Sequence, residues 1–437
     1  MRGAHLWQQV TALALALCAA TACAGDDCPT LRECDIRERS CQSRTARVAA
    51  CLRGGDPAAP AVDVVDKDAF VEEQVQSARE AGESPEERDV RRGLALLALM
   101  PWTDDTGELT REHWTNVAAF YAPDTGGITI LDDGSALDDP GAVILLLHEM
   151  IHALQGPELD AAYYEQHAGT FDKELALSAL IEGEATLYMD LGKLQGYDVD
   201  VEDVDWGSVF ETFKRGAWKR ERSTDANFTS ASSNFSYAFG GAYLNQAYRE
   251  GGNGAVRAAF ALPASSSREI MAGYAVARGV PFRAEPNEVG LPVVPENFER
   301  IATFHLGTWL AEVFIDAWSG PDRAFDDYVD SGFSGDVLNI FRGPASDDVT
   351  SVWRLRFEQP TQAEAFVSRL LARQWLKAFV EDRDVIVVAS TDDRVTETLI
   401  EGLTWSRAPE RDELPPAMTA ARGAVRIACA RPTPETH

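Results

Sequence analysis

Apolar positions along the chain keep two rhythms, one helical and one extended. From Asp66 to Met100 they recur at helical spacing, with Phe70, Val71, Val75 and Ala78 on one face, then Leu94, Leu96, Leu97 and Leu99, until Pro101 ends the run. Asp138-Asp139-Pro140 is a helix start, an acidic cap before a first-turn proline, and predicts a helix from Ala142 to Leu154. Further helices are predicted over Asp172 to Leu194, over Ala238 to Arg249 with a stop at Gly251-Gly252, and after Pro295 through Leu306 to Trp318. Ile128 to Leu131 reads as a short strand behind the turn Asp124 to Gly127. Beyond residue 331 the rhythm shifts. Val337–Phe341 and Val352–Phe357 read as strands, Gln362–Leu371 as a helix, Trp375–Val380 and Val385–Ala389 as a hairpin around Asp382, and Arg394–Leu403 again as a helix. The pattern predicts an α+β fold, predominantly α-helical, closed by a small C-terminal α+β unit.

The N-terminus changes the picture of where the chain works. Arg2 precedes an apolar stretch, Val10 to Ala20, that is too short to span a bilayer. Ala20-Thr21-Ala22 then forms a small-residue cleavage site before Cys23, so residues 1–22 read as a signal peptide and the chain as exported. The same residues are similar to a bacterial lipobox, with Ala20 where that pattern usually opens with Leu; the similarity implies a lipidated Cys23 and a cell-envelope tether, leaving the chain periplasmic or extracellular. Cys28, Cys34, Cys41 and Cys51 follow closely, and Cys429 lies near the far end. Without an interleaved His or a CxxC pair, this cluster predicts disulfides rather than a zinc knuckle.

Charge excludes one class of partner. With 70 Asp and Glu against 40 Lys and Arg, the net charge is -30, and such a surface repels phosphate backbones. No nucleic acid is expected to bind.

Chemistry concentrates in Leu147-His148-Glu149-Met150-Ile151-His152. On a helix His148 and His152 stand one turn apart on one face, so both imidazoles can meet one Zn²⁺ ion, with Glu149 beside them as general base. A catalytic zinc takes a third protein ligand. A metzincin pattern would need Gly at position 155 and His at 158, where this chain has Gln155 and Glu158. The candidate is instead Glu182, in Ala179-Leu180-Ile181-Glu182-Gly183-Glu184-Ala185, where small residues allow close helix approach. Glu184 projects about 200° around the helix from Glu182, so only one of the two can face the ion. Glu184, Glu158 and His167 are the alternatives.

These segments together resemble gluzincin-type zinc metallopeptidase-like proteins exported by prokaryotes, with HExxH-ALQ followed by ALxEGEAT. Ala119-Phe120-Tyr121-Ala122-Pro123, Tyr237-Ala238-Phe239-Gly240, Gly251-Gly252, Pro263 to Ser266 and Gly332 to Asp336 resemble further pieces of that pattern, across about residues 66–405. Ala122 and Ser236 depart from its usual Asp and Pro. The resemblance implies a zincin-like catalytic domain over 63–330, preceded by a Cys-rich head and linker over 23–62. An α+β subdomain over 331–408 and a loose Pro-rich tail over 409–437 would follow. It implies metal ligands His148, His152 and Glu182, the base Glu149, and an oxyanion donor, Tyr237 before Tyr243. The expected activity is hydrolysis of a peptide or protein substrate, with Ile128–Leu131 as the edge strand that pairs with it. The alternative is an envelope-anchored binding or assembly protein on the same scaffold without catalysis.

Overall fold

The computed structural model describes residues 28–223, 228–275, 290–292, 297–318, 332–345, 347–370, 375–392, 395, 405–406, 412–413 and 427–430. The expected signal peptide, Cys23 and most of the expected helix Arg394–Leu403 lie outside them. The fold is mixed α+β, with more than half of the described residues helical.

Helix α1 (Arg39–Arg53) comes first, followed by strand β1 (Val62–Asp66), α2 (Lys67–Ala81), α3 (Pro85–Leu96) and α4 (Thr106–Asn116). The single run expected over 66–100 is therefore two helices. Gly82 ends α2 at a φ of 68°, and the Ser84 hydroxyl and Glu87 carboxylate form a reciprocal cap that starts α3. Strands β2 (Val117–Ala122) and β3 (Gly127–Asp132) form a hairpin that leads into α5 (Pro140–Gln155). The carboxylate of Asp139 caps α5 by accepting from the Ala142 N–H.

After α6 (Ala161–His167) come the long α7 (Phe171–Gly196), α8 (Trp206–Ser223) and α9 (Phe228–Phe235). One π turn, Ser236–Gly240, joins α9 to α10 (Gly241–Ala261), which bends at Gly251 and Gly252 and continues past the expected stop. α11 (Ser267–Ala272) and the short β4 (Leu291–Pro292) precede β5 (Glu299–Phe304) and α12 (Gly307–Trp318). The remaining elements are β6 (Phe333–Arg342), β7 (Val349–Phe357), α13 (Pro360–Arg369), β8 (Leu376–Glu381), β9 (Asp384–Ser390), β10 (Trp405–Ser406) and β11 (Ile427–Ala430). The hairpin β8–β9 turns at Asp382, as expected, in the left-handed region at φ 56°.

Three expectations are corrected. The helix expected from Pro295 begins only at Gly307; Glu299–Phe304 is a strand, because it pairs antiparallel with β6 while the Asp336 carboxylate takes the Leu306 and Gly307 N–H groups and starts α12. Ile128–Leu131 is not an edge. The sheet order is β1-β3-β2-β11, so β3 is hydrogen-bonded on both sides, in parallel to β1 and antiparallel to β2. A strand so occupied offers no ladder groups to a peptide. The stretch beyond 408 is not loose where it is described, since Ile427–Ala430 pairs with β2 and the Asp412 carboxylate accepts from the backbone of Phe171 and His305.

The second sheet, β5-β6-β7-β9-β8, is antiparallel throughout and shares one apolar core with α5, α7, α10 and α12. The Cys-bearing segment belongs to that core as well: Cys41, Val48 and Ala49 of α1 are buried in it, and Cys28–Cys51 and Cys34–Cys41 are disulfides. None of the described helices is long and apolar enough to cross a membrane.

Between the helical layer and this sheet lies a polar knot. Asp172 accepts from the Ser267 N–H, Asp336 accepts from the Trp353 indole, and the imidazole of His305 meets Asp412 at 3.0 Å. Burial pushes the Asp172 carboxyl up to about 7, with the neighbouring Asp336 adding to the shift and the hydrogen bonds from Ser267 opposing it. Its folded pKa lies above the unfolded one, so the folded state holds the proton more tightly. Its contribution to stability is full below about pH 4 and is lost as pH rises toward 7. Asp172→Asn keeps the acceptor for Ser267 and removes the titration. The variant's melting temperature is expected to fall less between pH 4 and 7 than that of the wild type; parallel pH profiles would refute this assignment.

Candidate metal centre

His148 and His152 occupy successive turns of α5, and Glu182 sits in the middle of α7, which packs beside it. The three side chains converge. His148 Nε2 lies 3.0 Å from His152 Nε2 and 3.2 Å from Glu182 Oε2, and His152 Nε2 lies 3.4 Å from the same oxygen. All three residues are buried, and His148 and Glu182 keep a trace of exposure, 3% and 6%, where His152 has none.

The hydrogen bonds behind this group fix the tautomer of His152. Gln155, one turn beyond His152, places its Nε2 3.0 Å from the Ile181 carbonyl and 2.7 Å from Glu184 Oε2. A carbonyl can only accept, so the amide nitrogen must stand there and the amide oxygen must face His152 Nδ1, at 2.7 Å. Nδ1 consequently carries the proton, and Nε2 turns a lone pair toward His148 and Glu182. His152 Nε2 and the Glu182 carboxylate thus turn lone pairs toward His148 Nε2 in a buried interior, and a cation shared by the three would satisfy them. Their separations of 3.0 to 3.4 Å let the three atoms share one metal ion. Among the described residues this is the one metal-capable group of His, Cys, Asp and Glu.

The charges respond to one another. Burial would raise Glu182, yet the two imidazoles, His152 foremost, outweigh it and hold the carboxylate down at about 2. Burial lowers His148, which stays below the ordinary imidazole value. Burial opposes the charge on His152 too, but Glu182, with Glu149 and Gln155, prevails and raises it. Glu149 is fully buried and its carboxylate acts on His152.

Of the expected site residues His148, His152, Glu149 and Glu182, the structure brings His148, His152 and Glu182 within reach of one ion, and Glu149 is buried next to His148 on α5. Glu184, on the opposite side of α7, pairs instead with Arg53 Nε at 3.0 Å. Glu158 is largely exposed and reaches Arg53, and His167 lies against the Tyr163 ring. Tyr237 stands beside the centre, its ring 5.9 Å from that of His148, whereas Tyr243 packs edge-on against Tyr274. Two residues near the site were not foreseen. Gln155 carries no metal-site signal in the sequence, and neither does Tyr164 on α6, whose hydroxyl pKa is raised by burial and by the Glu182 charge.

Tyr237 reaches this position through a backbone contact. It lies in the π turn, a geometry concentrated at functional sites. A Cβ on Gly183 would overlap the Gly240 backbone, and one on Gly240 would overlap the Ala179 carbonyl. The glycine in Glu182-Gly183-Glu184 therefore lets the π turn lie directly on α7 beside the metal ligand. Compared with known protein families, curated proteins and solved structures, the chain matches none.

Gly183→Ala is expected to cost ~1–3 kcal/mol by forcing these backbones apart. Thermal unfolding measures it, and a melting temperature equal to that of the wild type would mean the contact is not tight.

Proposed function

We propose that the protein is a zinc-dependent hydrolase of peptide bonds, working in an oxidising, exported environment. The observation that carries this reading is the convergence of His148 Nε2, His152 Nε2 and Glu182 Oε2 from two helices, with Glu149 one residue from the first ligand. The two disulfides support the compartment. Two imidazoles and one carboxylate at these separations suit zinc, which when bound would supply Lewis acidity toward a carbonyl and acidify water.

The chain's own groups do the rest. Glu149, buried next to His148, would accept a proton from the attacking water and return it to the departing amine nitrogen. Tyr237, whose ring lies 5.9 Å from that of His148, would donate a hydrogen bond to the developing oxyanion. Because β3 is paired on both sides, the substrate backbone is not held by that strand.

The test is metal content followed by activity. Purified protein is expected to hold about one zinc per chain, and His148→Ala and Glu182→Ala to lose most of it. Glu149→Gln should keep the zinc and lose peptidase activity on an unstructured protein substrate by roughly 10²–10⁴-fold. A wild type that takes up no zinc would end the metal reading. A Glu149→Gln variant as active as the wild type would end the catalytic one and favour a binding role.

A further inference from the structure

Arg53 is the last residue of α1, far from the metal group in sequence, yet its side chain is only 8% exposed and ends in the layer behind that group. Its Nε donates to Glu184 Oε1 at 3.0 Å, and its two terminal nitrogens reach the Glu158 carboxylate at 3.2 and 2.5 Å. Glu184 accepts through its other oxygen from Gln155, and Gln155 accepts from His152 Nδ1. An unbroken chain thus runs from the Cys-bearing segment to a metal ligand.

The end of α1 is itself fixed twice. Cys51, two residues before Arg53, is bonded to Cys28. Beyond the bend in α10, Asn253 Nδ2 donates to the Leu52 carbonyl at 2.8 Å while its Oδ1 accepts from Tyr188 on α7.

We propose that Arg53 is a positioning residue for the metal centre. Acting through Glu184 and Gln155, it holds His152 with the proton on Nδ1 and a bare Nε2 toward His148 and Glu182. The disulfide-tied segment is then a working part of the site rather than a tether alone. A ligand imidazole needs its second nitrogen engaged by a fixed partner, and loss of such a partner typically costs 10–100-fold in metal affinity. Here the partner is an amide that could rotate. Glu184 and the Ile181 carbonyl stop it rotating, and Arg53 stops Glu184 from moving.

The affinity arm of the test rests on the zinc reading; the second arm does not. Arg53→Met/Glu184→Gln removes the ion pair without stranding a buried charge. Zinc affinity, measured by competition with a chromophoric chelator, is expected to fall about 10-fold or more. In metal-free protein in alkaline buffer, the ring nitrogen shifts of His152 should change from a single Nδ1–H tautomer to a mixture. A folded double variant with unchanged affinity and one tautomer would overturn the proposal. Should that variant not fold, Gln155→Met decides: a mixed tautomer supports the chain, and a single Nδ1–H tautomer removes it. If the wild type binds no zinc, the metal reading fails by itself, and the tautomers still judge Arg53.

Discussion

His148 Nε2, His152 Nε2 and a Glu182 oxygen face one another in a buried interior, an arrangement that calls for a proton or a cation among them. That constraint organises this molecule. Water would screen His148, His152 and Glu182, but the two helices that carry them exclude it. The Gln155 amide goes further and turns the lone pair of His152 inward. A proton can satisfy the group, as the depressed carboxyl of Glu182 and the raised imidazole of His152 show, and so can a divalent cation.

Meeting that constraint takes the rest of the fold. α5 and α7 must lie close and stay in register, and the core they share with the second sheet supplies the burial. Gly183 and Gly240 allow a third element to press on α7 beside Glu182, and the π turn carries Tyr237 to the His148 ring. Behind the ligands, the ion pair of Arg53 and Glu184 is buried at a desolvation cost that a surface pair would not incur. Such a pair is poor value as a stability device; it makes physical sense as a device for direction.

The polar knot of Asp172, His305, Asp336 and Asp412 plays a related part at the other end of α7. It joins the start of that helix to the second sheet and to the segment near residue 412 through hydrogen bonds instead of apolar contact. The C-terminal residues thereby close the fold over both sheets, with β11 completing one and Glu413 bridging Thr303 of the other.

By itself the sequence determined what is local. The spacing of His148 and His152 follows from the helical repeat, and the cap at Asp139 and the turn at Asp382 follow from single-residue chemistry. The 200° between Glu182 and Glu184 meant that only one of them could face the histidines, and packing decided that it is Glu182. Tertiary structure decided whatever depends on residues distant in the chain. Arg53 and Glu184 are 131 positions apart, and no periodicity links them. β3 became internal because β1 pairs with it, and residues 299–304 became a strand because β6 was there to receive them. Short-range preference fixes helices and their faces, whereas pairing, desolvation and the direction of a buried hydrogen bond belong to neighbours that only the folded chain provides.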